Sequence, residues 1–316
     1  MLWQLLRRCL IFLVSTVAAS SIIFWIIDSG CGPAQTALGV GATPDSVAAL
    51  CHQTGLDRPL LVQYWDWFSA AITGDFGTSY ISQRPIGPQI FDQLSVTLWL
   101  VAGGIVVALL VAVPLGMASA LRHGKVSGSL LSGISQVGIA VPAFVAALLL
   151  VLLFAVKLRW LPANGYVVPA QDPAQFFVHM LLPWLSLGLV QGAVLARYVR
   201  SAVLDELGQD YLRTARAKGL TPAAALRRHG LRNASIPVLT VIGVQLVTVL
   251  VGAVVIERIF TIPGIGKGLA DAAQGQDLLT VQGMVLTLVV AALLISFVVD
   301  VLYTVIDPRL RQQAST

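Results

Sequence analysis

The chain has 316 residues, of which 57% are hydrophobic and 11% charged, with a formal net charge of +5. Soluble globular domains carry about 25% charged residues, so this composition excludes a soluble enzyme or binding module and places the chain in a lipid bilayer. The surplus of Lys and Arg decides nothing by its sum, because its distribution along the chain determines what it is for.

Crossing about 30 Å of hydrocarbon takes about 20 apolar residues in a helix. Six runs qualify: Leu10 to Ile27, Leu94 to Leu121, Leu130 to Val156, Phe176 to Ala196, Val238 to Ile256 and Val281 to Ile306. They are continuous rather than alternating, which argues against a β-barrel and for an all-α polytopic protein. In the first run Arg7 and Arg8 precede "VAASS", a pattern that imitates a secretory signal. The apolar residues continue through "IIFWII", so this is a retained span, and residues 1–27 form an N-terminus with the first helix. Cys9 reads as an inert core thiol.

Residues 28–93 form the one sizeable segment outside the membrane. Within it "TPDSVAALCHQTGL" predicts a helix with Thr43 as N-cap, Pro44 first, Asp45 in the first turn and Gly55 as the stop. A second helix is expected in "RPLLVQYWDWFSAAITG", whose Leu60, Leu61, Tyr64, Trp65 and Phe68 make a stripe suited to the headgroup level. Cys31 and Cys51 both lie in this segment, where a disulfide is chemically permitted. Pairing is expected, with two reduced thiols as the alternative.

Residues 94–316 hold the remaining five runs. Pro114, Pro142 and Pro183 interrupt them and mark places for bending. An even number of spans puts both termini on one side, with Arg122, Lys125, Arg197, Arg200 and the cations of 210–237. The other side holds Arg58, Arg84, Lys157, Arg159, Arg258 and Lys267 among most of the acids. The positive-inside rule makes the termini cytoplasmic, and the basic charge is topology rather than a nucleic-acid surface.

No catalytic motif is present. "PGIGKG" lacks the phosphate-loop pattern, with Thr261 where the first Gly belongs and Gly268 where Ser or Thr belongs. The four histidines have no ligand spacing. Asp, Glu and His are absent from the middle of every span, where a proton relay would place them, so the driving energy enters from elsewhere. Gln136, Gln191 and Gln245 are the polar residues inside spans; they line a path or hydrogen-bond between packed helices.

The stretch "DYLRTARAKGLTPAAALRRHGLRNASIP", Asp210 to Pro237, concentrates cations between two apolar runs. It predicts a helix, a break and a second helix. Leu204, Leu207, Tyr211 and Ala215 share one face, Gly219 supplies a left-handed stop, and Thr221 with Pro222 restarts the chain. Its many small residues give poor lipid burial and permit close approach of another protein.

"YLRTARAKGL" followed by "LRRHGLRNASIP" resembles the cytoplasmic EAA-type loop of ABC importer permeases, in the variant of the dipeptide and oligopeptide family. Further similarity runs through "LLRR", "LGVGATPDSVAAL", "GLDRPLLVQYWDW", "GDFGTSY", "VPLGMASALR", "RWLPANGY", "IERIFTIPGIGKGLADA" and "DVLYTVIDPRLR". Arg213, Thr214 and Ala215 stand where the general pattern has Glu-Ala-Ala, and "SGCGPAQ" replaces the usual Pro-Gly-Asp-Pro.

The resemblance implies the B-type permease with a type I importer fold, in the bacterial inner membrane. Its coupling loop spans 197–237, with Asp210, Tyr211, Arg213, Thr214, Ala215, Arg216, Ala217, Lys218, Gly219 and Leu220 against the ATPases. It also implies a second, C-type permease, two cytoplasmic ATPases that hold ATP and Mg, an extracytoplasmic binding protein and a peptide substrate. This chain itself would bind no cofactor and hydrolyse nothing. Nickel, glutathione and haem remain alternative cargoes, and a proton-coupled carrier is the competing class.

Overall fold

A computed structural model describes residues 2–27, 31–39, 41–79 and 81–306. The described residues are almost wholly helical. In chain order the helices are α1 (Leu2–Ile27), α2 (Gly32–Leu38), α3 (Pro44–Thr54), α4 (Leu60–Ile72), α5 (Ile86–Leu121), α6 (Val126–Ala140), α7 (Ala143–Leu150), α8 (Pro173–Leu207), α9 (Asp210–Ala217), α10 (Pro222–Ala225), α11 (Leu231–Ile259), α12 (Ile265–Gln274) and α13 (Leu278–Ile306). Five helical stretches are long and apolar enough to cross a membrane. A sixth would be the bent pair Val126–Ala140 and Ala143–Lys157, whose halves meet at 99°.

That bend falls at Pro142, one of the places for bending expected in the spans, and divides the run Leu130 to Val156 into two helices. Pro142 has no N–H to give and its ring clashes with the helical carbonyl four residues earlier, and it pushes Val141 into extended backbone (φ −87°, ψ 119°). Pro114, Pro183 and Pro237 lie inside uninterrupted helices. Beyond Leu150 the chain continues through the wide π-type turns of Val151–Lys157.

The described residues divide into two compact units, one built from 98–262 with 298–306 and the other from 2–97 with 263–297. In the first, α8 packs against α6, α7 and α11. Its core is rich in alanine, including Ala108, Ala112, Ala196 and Ala202 beside Leu195 and Val203. Small residues bring backbones together where lipid offers no hydrophobic drive. Gly188 and Gly192, one turn apart on α8, meet Val107, Ala108 and Val111 of α5 so closely that a Cβ at Gly188 would collide with Val107. Gly103 leaves space for the Trp184 indole, whose Nε1 donates to the Trp99 carbonyl at 3.0 Å.

In the second unit Ile23, Phe76, Ile86, Ile90, Ile265 and Met284 form the core. The N-terminus of α12 is fixed by the Ile265 N–H donating to Thr97 Oγ1 at 2.9 Å. Thr43 caps α3 by accepting from the Ser46 N–H, and Gly55 ends it at φ +72°. The aromatic stripe of α4 divides. Tyr64 turns inward, with its hydroxyl 2.8 Å from Ser20 Oγ and its ring on Phe24 and Phe68, while Leu61 and Trp65 stay exposed. Cys9, expected in a core, is free and exposed on α1.

Candidate functional site

The cationic stretch is ordered by a sequence of local stops and starts. Helix α8 ends at Leu207, and Gln209 takes extended backbone (φ −70°, ψ 144°) before α9 begins with Asp210 in its first turn. Arg213 pairs with Asp210 at 3.3 Å, with both groups exposed. Gly219 terminates α9 at φ +92°, donating its N–H to the Arg216 carbonyl at 2.9 Å. Thr221 Oγ1 then accepts from the Ala224 N–H at 3.3 Å, and Pro222 opens α10.

From there the helix does not stop. It passes through wide π-type turns at Leu226–Gly230 into α11, giving one helical stretch from Pro222 to Ile259. The second helix predicted beyond Gly219 is therefore the near end of a longer helical stretch. A further correction concerns Tyr211, expected on one buried face with Leu204, Leu207 and Ala215. The break at Gly208 and Gln209 resets the helical phase, so Leu212 and Ala215 enter the core while Tyr211 is exposed.

Three residues outside the expected contact set Asp210–Leu220, namely Glu206, Gly230 and Asn233, hold α9 in place. Asn233 Nδ2 donates to Tyr211 Oη at 3.1 Å and to Glu206 Oε1 at 3.4 Å, tying α11, α9 and the end of α8 together. One turn earlier, a Cβ on Gly230 would stand 3.1 Å from both Glu206 Cγ and Leu212 Cδ1. A glycine and an asparagine three residues apart within a helix are the signal available in sequence, since both lower helix propensity.

Around this clamp Arg216, Lys218, Arg227, Arg228 and Arg232 are exposed, and among the described residues they make no ion pair. Ala217 and Gly219 are exposed between them, and a side chain added at Gly219 would meet nothing within 4 Å. Thr214 and Leu220 complete the surface, with Thr214 Oγ1 donating to the Asp210 carbonyl at 3.0 Å. The arrangement is a small, rigid, positively charged face that a partner can approach closely.

The other candidate residues lie elsewhere. Gln136 is exposed on α6, while Gln191 on α8 and Gln245 on α11 are half-buried. No hydrogen bond joins the three, and Gln191 Oε1 is buried without a partner. Cys31 and Cys51 are bonded as a disulfide across a Cα–Cα distance of 5.7 Å. Glu257 is fully buried two residues before the end of α11. Among the described residues no His, Cys, Asp and Glu cluster is arranged to hold a metal ion.

Comparison with known proteins gives consistent results. Residues 112–312 match the family described as "Binding-protein-dependent transport system inner membrane component", and residues 1–101 match its N-terminal counterpart. The chain is 37% identical over 312 residues to the glutathione transport system permease protein GsiC of Salmonella typhimurium, covering 98% of this chain and 99% of that one. The protein of the same name from Escherichia coli K12 is 36% identical over the same length. Among solved structures, the MetNI methionine ABC transporter in inward-facing conformations is similar in fold, with a TM-score of 0.54 at 16% identity, covering 69% of this chain and 96% of that one.

Proposed function

Because the chain belongs to the family of binding-protein-dependent transport system inner membrane components and is an ABC importer permease of the dipeptide and oligopeptide type, we propose that its cargo is a short peptide. The relatives' printed cargo is glutathione, one of the alternative cargoes above and itself a γ-linked tripeptide, so their support reaches small peptide-like solutes and not dipeptides or oligopeptides in particular. In this reading a binding protein delivers the peptide on the extracytoplasmic side. A second, homologous permease completes the path, and two cytoplasmic ATPases carry ATP and Mg. Closure of the ATPases shifts a two-state equilibrium between outward and inward openings.

The cargo reading is supported by the relatives, and the observation that supports the ATPase coupling is the clamped helix α9 with its exposed cations and bare Gly219. A surface-lying lipid anchor would need a broad apolar face, and the apolar residues of α9, Leu212 and Ala215, are spent on the chain's own core. A docking helix needs a fixed pose and room for a partner, and both are present.

The test is ATP-driven uptake in proteoliposomes holding the assembled complex, without a pH gradient. Uptake of a peptide identified by mass spectrometry on the cognate binding protein supports the reading. Uptake that requires a proton gradient and ignores ATP overturns it in favour of a proton-coupled carrier.

A further inference from the structure

Three apolar runs of one unit end together. Helix α5 finishes at Leu121, α6 begins at Val126, and the apolar run of α8 stops at Ala196. Just past these ends stand Arg122, His123 and Lys125 in the α5–α6 turn, with Arg197 and Arg200 on α8. The turn is compact. The Lys125 N–H donates to the Arg122 carbonyl at 3.0 Å, Ser119 Oγ lies 2.9 Å from Ser132 Oγ across the two helices, and a Cβ on Gly128 would collide with the Arg122 carbonyl.

One hydrogen bond joins the turn to α8. Arg200 Nη2 lies 3.3 Å from His123 Nδ1. A guanidinium only donates, so Nδ1 accepts and the ring proton sits on Nε2, free to be given to another acceptor. Arg197 is a neighbour of Arg200 at i, i+3 spacing, and its guanidinium carbon lies 5.2 Å from the Tyr198 ring centroid. Arg122, His123, Lys125, Arg197 and Tyr198 are exposed, and Arg200 is half-buried. Two arginines, a lysine and a third arginine thus share one corner, and among the described residues none of them pairs with a carboxylate. Glu206, further along α8, is bonded to Asn233 instead. The N-terminus of α6, begun by Lys125 without a side-chain cap, adds its partial positive charge to the same place. Like charges gathered this closely favour an anion among them.

What lies beside the cations selects the kind of anion. Val126, Leu130, Ile134 and Val137 follow Lys125 along α6 at helical spacing and are all exposed, which makes an apolar strip running from the cations into the hydrocarbon. A soluble anion would use the charges and leave the strip unexplained, whereas a phospholipid uses both, and Tyr198 suits the headgroup level. We propose that this corner is a binding site for an anionic phospholipid. Its phosphate is held by the cations of the turn and of α8, with the His123 Nε2–H as a further donor, and an acyl chain lies along the α6 strip. The site is independent of the cargo.

The test is native mass spectrometry of the assembled permease–ATPase complex in mild detergent, titrated with dioleoylphosphatidylglycerol or with dioleoylphosphatidylcholine. Saturable retention of the anionic lipid over the zwitterionic one is expected, and this comparison needs no substitution. Two double variants then remove charge from the two sides of the corner, Arg122→Gln with Lys125→Gln in the turn and Arg197→Gln with Arg200→Gln on α8. Each should weaken phosphatidylglycerol binding by about thirtyfold, from a factor of about five per juxtamembrane cation. Arg227→Gln with Arg228→Gln removes the same charge from exposed positions elsewhere and should leave the affinity unchanged. Glycerol phosphate, the headgroup without its chains, should not displace the bound lipid. Equal retention of the two lipids, an equal loss in the Arg227 and Arg228 variant, or a loss in only one of the corner pairs overturns the proposal. Displacement by glycerol phosphate also overturns it, and leaves a site for soluble anions in its place.

Discussion

At Gly219 the backbone favours glycine while the chain's own surroundings leave room for a side chain, so backbone and docking effects can be separated. Its φ of +92° is disfavoured for any residue with a Cβ, yet that Cβ would touch nothing in the chain itself. Gly219→Ala adds the backbone cost, about 1 kcal/mol or more, and little bulk. Gly219→Val adds the same cost and a branched side chain on the docking face. Both variants should insert and dock a binding protein. Stimulation of ATP hydrolysis by loaded binding protein should fall modestly in the alanine variant and be abolished in the valine variant; wild-type transport by Gly219→Val would show that this face is not the ATPase contact. Gly188 is the opposite case, with ordinary backbone but no space, since a Cβ there strikes Val107 and crowds the Gly104 carbonyl at 2.8 Å. Gly188→Leu overpacks the contact of α8 with α5, a class of change costing about 1–3 kcal/mol or more. The expected result is loss of folded permease, measured by size-exclusion chromatography in mild detergent.

At the level of elements, the proposed coupling requires α9 to move as one body with its neighbours, and Asn233 on α11 bonds both α9 and the end of α8. Asn233→Ala frees Tyr211 Oη and the Glu206 carboxylate. Because these groups are partly solvated, the stability cost should stay near 1 kcal/mol. The expected signature is uncoupling: basal ATP hydrolysis persists while peptide moved per ATP declines, with partial rescue by Asn233→Gln. An unchanged ratio would reduce the clamp to local packing. The disulfide is a second element-level device, joining the residue before α2 to α3. Closing a loop of this length constrains the unfolded chain by about 3 kcal/mol. Thiol alkylation and mass mapping of protein from intact cells should find Cys31 and Cys51 unlabelled until reductant is added.

Sequence reasoning located the helices here because their signals are local: Thr43, Gly55, Gly219 and Thr221 act on the backbone within a few residues. It did not find the clamp, because Glu206, Tyr211 and Asn233 meet only once three helices are assembled. Nor could it tell Pro142, which breaks a helix, from Pro114 and Pro183, which do not. That outcome depends on whether neighbouring groups re-satisfy the freed backbone.

For the whole molecule the charge asymmetry predicts one orientation, with Trp65 outside and His229 inside. Single cysteines at these positions, in a chain lacking the native three, should react oppositely with a membrane-impermeant maleimide; labelling of position 229 in intact cells would invert the topology. The continuous helical stretch from Pro222 to Ile259 gives that orientation a mechanical meaning. Its 38 residues measure about 57 Å at 1.5 Å each, nearly twice the hydrocarbon thickness of about 30 Å. Under the proposed coupling, a strut of this length would pivot like a seesaw, its fulcrum inside the bilayer. A push on the tip beside Gly219 would then surface at the Ile259 tip as motion in the opposite direction, less whatever the loosely wound turns at Leu226–Gly230 absorb.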